Sequence, residues 1–522
     1  MTHPKLVETM LRPDFYPHRP ESVELVQTHI SYVFIAGQEV YKVKKPVDFG
    51  FLDFTTLEKR KFYCGEEVRL NRRLAPGAYL GVAEIREVAG GLSLAGDGKV
   101  AEYAVRMKRL PQDRMLKGLL QEGAVDISVM DAVARKVADF HAAAETGGRI
   151  DEVGGIDTIR HNHDENFDQT AKYRGITIPA HQWAFTRDYI AFFMDRNGDL
   201  LRRRVAEHRI RDCHGDLHLE HICLAGEIVI FDCIEFNERF RFEDTAAEVA
   251  FLAMDLDYNG YPEWAEAFVE AYIRHSGDEA VRTLLNFYRC YYAFVRGKVV
   301  SFRLDDRAIG EEGRREARKM AEKYFDWAYT YAARPDRPTL ILTAGLMGTG
   351  KSVVARQIAP RLGARIIQMD ALRKELAGLA PGEKRPEAFG AGLYSEDVSQ
   401  RTYTAALERA AEEIRAGRSV MIDGSYKRRE ERLRALDTAR SLGADFVVLE
   451  CRCDESNVQR RLEGRKSEAG EPSDGRWEIF RKQQADYDAV HELPKECHGV
   501  VETDVLPEEA ADRALRRLRF PE

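Results

Sequence analysis

Residues Gly345-Leu346-Met347-Gly348-Thr349-Gly350-Lys351-Ser352 match the pattern G-x-x-x-x-G-K-[ST] in full. They follow an apolar segment, Thr339 to Thr343, and precede a stretch with helical periodicity. Strand, glycine-rich loop and helix in that order constrain the local fold strongly, because the loop turns its N–H groups toward one point and the helix N-terminus adds a field that favours anions there. The pattern assigns phosphate contacts to the loop backbone from Gly345 through Ser352 and on to Val353. Lys351 falls to the β- and γ-phosphates, and Ser352 to a magnesium ion. ATP and Mg2+ are the ligands so implied.

After this loop, apolar strands near Leu340, Arg365, Ser419 and Phe446 alternate with helical runs, which predicts a parallel α/β sheet. The second strand runs into Met369-Asp370-Ala371-Leu372-Arg373. At the carboxyl edge of such a sheet Asp370 is a candidate catalytic carboxylate that accepts a hydroxyl proton, or else a helix N-cap. The third strand, Val420-Met421-Ile422-Asp423, ends in an acid suited to the magnesium shell. Arg460-Arg461-Leu462-Glu463-Gly464-Arg465 offers Arg461 and Arg465 as guanidinium groups to close over a transferred phosphoryl group, or else a solvated helix face.

The chain has 522 residues, which points to more than one core, and Pro335 and Pro338 place a junction before the Thr339 strand. The expected domains are therefore residues 1–335 and 336–522. In the first, alternating segments such as Val40-Tyr41-Lys42-Val43-Lys44 predict a small sheet lobe over about residues 20–112, with a helix near 56–74. A largely helical lobe follows over about 113–332, interrupted by a strand-rich centre from Cys213 to Phe236. A net charge of −8 disfavours a long nucleic-acid track. No apolar run reaches the roughly 18 residues of a membrane span. The eight cysteines are dilute, and the N-terminus lacks the pattern of a signal peptide, so a cytoplasmic setting is expected.

The densest polar cluster of the first domain is His214-Gly215-Asp216-Leu217-His218-Leu219-Glu220-His221, followed by Ile228 to Phe231 and Asp232. Two acids flanking a strand suit a kinase-like site, with Asp216 at the acceptor hydroxyl and Asp232 on the metal. The histidines also admit a zinc reading or a hydrogen-bonded turn.

H-G-D-L-H and I-F-D-C-I-E-F resemble the aminoglycoside phosphotransferase family, over roughly residues 25–330. The resemblance implies a protein-kinase-like fold in which Lys42 meets the ATP phosphates, Glu67 pairs with Lys42, and Tyr103 to Leu110 form the adenine-side hinge. Lys44 lies on the same strand face as Lys42. Where that family places an asparagine as magnesium ligand, this chain has His221, and Glu235 is a candidate substitute. Residues 338–522 resemble the P-loop kinases that include gluconate kinases, zeta toxins and polynucleotide kinases. The order of the two parts resembles bacterial proteins described as bifunctional aminoglycoside phosphotransferase and ATP-binding proteins. These resemblances imply ATP- and Mg2+-dependent phosphoryl transfer to a hydroxyl of a small molecule. A nucleotide-binding switch with a degenerate N-terminal domain, or a polynucleotide 5′-hydroxyl kinase, are the alternatives.

Overall fold

The computed structural model describes residues 4–306, 309–379, 392–464 and 477–520. The chain divides into two compact units, Met1–Tyr173 with Phe193–Tyr324, and Arg174–Phe192 with Phe325–Glu522. The expected junction at residues 333–338 thus falls inside the second unit.

The first unit opens with a six-stranded antiparallel sheet in the spatial order Val23–Gln27, Ser31–Ala36, Glu39–Lys44, Lys99–Lys108, Tyr79–Val88 and Gly91–Ser93. Strand periodicity sorts the third strand's side chains. Tyr41 and Val43 join Phe34, Ile85 and Ala104 in one apolar cluster, whereas Val40 packs with Cys64, Val68 and Val105 on the other side. Lys42 and Lys44 share that second face with Val40, and it is covered by the helix Leu57–Asn71. Thr56 caps this helix by accepting from the Lys59 N–H.

The helices that follow pack around Thr245–Tyr258, which is buried over almost its whole length. A helix apolar on all sides belongs in a core, and its few polar side chains are therefore conspicuous. Asp244 caps it by accepting from Ala246 N at 2.8 Å and, with Asp278, holds the buried Arg204 guanidinium. The Cys213–Phe236 centre holds the strands Ile222–Ala225 and Glu227–Ile230, and the strand Ile210–Asp212 runs directly into it. This small antiparallel lobe followed by helices is the kinase-like architecture expected.

In the second unit five parallel strands lie in the order Arg365–Gln368, Val420–Asp423, Thr339–Ala344, Asp445–Arg452 and His498–Glu502. All six residues of the central strand Thr339–Ala344 are buried, as a strand covered on both faces requires. The helix Lys351–Leu362 starts directly behind the phosphate loop. Among the described residues no helix is long and apolar enough to cross a membrane.

Candidate active sites

In the second unit the sheet register carries the ends of three strands to the phosphate loop. Leu342 lies beside Ile422, and Ala344 lies beside Glu450. Asp423 is buried, and its Oδ1 accepts from Thr343 Oγ1 at 3.3 Å. Gly345 has φ +127°, and a Cβ there would stand 2.5 Å from the Cys451 carbonyl oxygen, so only glycine fits where the loop leaves the strand. Thr349 Oγ1 donates to Leu346 O at 2.8 Å, and Lys351 Nζ to the same oxygen at 2.7 Å.

Thr503, just past the last strand, donates its hydroxyl to Thr349 O at 2.7 Å and so ties the loop to the sheet edge. Sequence reasoning missed Thr503, since nothing local marks a threonine 154 residues away as a loop anchor. Arg461 reaches the same place. Its Nη2 donates to Thr503 O at 2.6 Å, and its Nη1 lies 3.4 Å from Gly348 O. Arg465 lies outside the described residues.

Asp370 sits in the first turn of the helix Met369–Leu376, whose N-cap is Gln368. The N-cap alternative for Asp370 therefore does not hold. Its carboxylate accepts from Arg373 Nη1 at 2.7 Å, three residues on along the same helix. Ser352 and Asp423 present oxygen donors, the type that magnesium prefers. Deeper along the edge, Glu450 is gripped by His498 at 3.0 Å and Arg452 at 2.9 Å. Burial works against its charge, yet these two partners hold it down to about 2.

In the first unit Lys42 and Lys44 both converge on Glu67. Lys42 Nζ is 3.0 Å from Glu67 Oε1 and 2.6 Å from Asp232 Oδ1. Lys44 Nζ is 2.6 Å from Glu67 Oε2 and also pairs with Glu235. Lys44 is completely buried, whereas Lys42 keeps some exposure and alone of the two meets Asp232. Burial disfavours the charge on Lys42, but Asp232, Glu67 and Glu235 outweigh it and raise its pKa well above the ordinary value. Glu235, the candidate substitute metal ligand, is instead committed to the buried Lys44, and burial raises its pKa.

The loop carrying Asp216 hangs from two acids of the buried helix, Glu248 and Asp255, two turns apart. Glu248 Oε1 accepts from His214 N at 2.7 Å and Gly215 N at 2.8 Å. Its Oε2 meets His141 Nε2 at 2.6 Å, and Asp255 Oδ2 accepts from Leu219 N at 2.9 Å. Gly215 has φ +81°, with the Phe240 carbonyl oxygen 2.7 Å from where a Cβ would stand.

Asp216 Oδ2 lies 3.5 Å from His218 Nε2 and 3.6 Å from His221 Nδ1. Burial would raise the Asp216 pKa, but His218 above all holds it well below the carboxylate range. Asp232 is likewise held low, burial being outweighed above all by Lys42. Asp232 also has φ +63°, a conformation rare for non-glycine residues and concentrated at functional sites.

A profile described as "AAA domain" matches residues 340–490. A protein of Mycobacterium tuberculosis (strain H37Rv) described as "Uncharacterized protein Rv2004c" is 32% identical over 479 residues, spanning 90% of this chain and 92% of that one. Among solved structures, a gluconokinase from Sinorhizobium meliloti 1021 aligns with 35% of this chain and 91% of its own, at 21% identity and a TM-score of 0.26. The amicoumacin kinase hAmiN, in complex with AMP-PNP, Ca2+ and Ami, aligns with 62% of this chain and 92% of its own, at 12% identity and a TM-score of 0.39.

Proposed function

We propose, from the premise that this chain belongs to the family of the mycobacterial protein Rv2004c, that it is an ATP- and Mg2+-dependent phosphotransferase acting on a hydroxyl of a small molecule. The observation that carries this reading is the complete phosphate loop at the carboxyl edge of a parallel sheet, with Lys351 and Arg461 both laid against it. The loop N–H groups and Lys351 bind the nucleotide phosphates, and Arg461 offsets charge that develops during transfer. Ser352 and Asp423 hold the ion, which when bound neutralises phosphate charge. Asp370, kept in place by Arg373, accepts the acceptor's proton.

Residues 1–335 form a second phosphotransfer site on this reading. Lys42 binds phosphate, Glu67 orients Lys42, Asp232 holds metal, and the ionised Asp216 accepts the hydroxyl proton. The setting is cytoplasmic and the acceptor is small; neither a membrane nor a nucleic acid takes part. Calorimetric titration of the full chain with a non-hydrolysable ATP analogue tests the assignment. Two binding sites are expected, one lost in Lys351→Ala and the other in Lys42→Ala. Two sites persisting in both variants would refute it.

A further inference from the structure

The rings around Asp216 have fixed tautomers, and one of them leaves a lone pair facing an acid. His221 Nδ1 lies 2.9 Å from the Asp216 carbonyl oxygen. A carbonyl only accepts, so Nδ1 carries the hydrogen and Nε2 of the neutral ring is bare. That bare nitrogen stands 3.6 Å from Asp232 Oδ2. His218 is arranged the other way round. Its Nδ1 accepts from Glu220 N at 3.3 Å, so its hydrogen sits on Nε2 and points to Asp216. His214 accepts from Asp216 N on Nδ1 and donates to the Phe231 carbonyl through Nε2.

Among the three histidines, only His221 thus offers a free nitrogen, and it offers it to a carboxylate oxygen. A bare ring nitrogen and a carboxylate oxygen facing each other repel, and a cation held between them turns that repulsion into attraction. Ligand atoms held at about 2.1 Å each span 3.6 Å with a bent angle at the metal. The other oxygen of Asp232 is occupied by Lys42, and Glu235 by Lys44, so neither supplies the all-oxygen shell that magnesium favours.

We propose that His221 Nε2 and Asp232 Oδ2 are the two protein ligands of a nitrogen-accepting divalent ion of the manganese, cobalt or zinc kind, and that the N-terminal site takes such an ion in preference to magnesium. The proposal rests on the phosphotransfer reading of this site, and its test separates the two. Pulsed EPR of Mn2+ bound to full-length Lys351→Ala protein, prepared with 15N-histidine, reads ligation directly. The 15N coupling of a single histidine is expected; it persists in His218→Gln and disappears in His221→Asn. Mg2+ should also displace Mn2+ from His221→Asn at a concentration about tenfold lower than from the parent, the usual scale for loss of a metal-site residue.

Bound Mn2+ without histidine coupling, coupling that survives His221→Asn, or no Mn2+ bound at all would each overturn the proposal. A spectrum with histidine coupling but no 31P coupling when an ATP analogue is added would instead leave nitrogen ligation standing and refute the phosphotransfer reading.

Discussion

His163 is buried between the rings of Phe287 and Tyr291, at centroid distances of 5.1 and 4.9 Å. Burial in this apolar setting pushes its pKa down to about 3. A histidine whose folded pKa is depressed binds a proton in the unfolded chain before the folded one, so the folded state loses stability as pH falls below the unfolded value of about 6.5. Between pH 6.5 and pH 5 the folded ring stays neutral while the unfolded one charges. The loss works out at about 1.6 kcal/mol for this residue.

His163→Phe removes that loss while keeping an aromatic ring in the slot. The assay is the urea midpoint for peroxide oxidation of Met130 and Met254, both fully buried in the same unit. With a slope of about 2–3 kcal/mol per molar urea, the variant's midpoint should fall between pH 6.5 and pH 5 by about 0.5–0.8 M less than the parent's. Parallel midpoint-against-pH curves would show that His163 titrates alike in the folded and unfolded chain. His214, held down to about 4 by burial, leaves the variant with a residual slope of the same sign.

Three further outcomes follow from packing. Gly345→Ala drives a Cβ into the Cys451 carbonyl and should weaken ATP binding by at least about tenfold, read by calorimetry; unchanged affinity would contradict the account of the loop. Glu248→Ala strips the acceptor from two buried N–H groups and from His141, at a cost of about 3–5 kcal/mol. Glu248→Gln, which keeps one oxygen, should cost less by the same oxidation assay, and equal losses would count against the clamp. Arg204→Met abandons two buried carboxylates and should also cost about 3–5 kcal/mol. Adding Asp278→Asn should recover part of it, and no recovery would mean the arginine acts through packing alone.

What the sequence made legible was local. The phosphate loop, the Thr56 start of the helix over Lys42, and the alternation that puts Lys42 and Lys44 on one face are all fixed by neighbours a few residues apart. Which lysine meets Asp232 depends on a contact 190 residues away, and the strand pattern alone could not separate the two. Thr503 and Glu248 escaped for the same reason, since a threonine after a strand or an acid in an apolar helix acquires its role only when a distant loop arrives. The strand His498–Glu502 is five residues long, too short for its alternation to stand out. The grouping of Arg174–Phe192 with the second unit had no marker in composition, because a long helix runs through the point where the units part.

Phosphoryl transfer by both units is read by following labelled γ-phosphate from ATP into a fractionated metabolite extract, comparing the intact protein with Lys351→Ala and Asp216→Ala. Labelled small-molecule products are expected from the intact protein, with different products lost in the two variants. ATP binding without any labelled product, from any form of the protein, would mean that neither unit is a phosphotransferase.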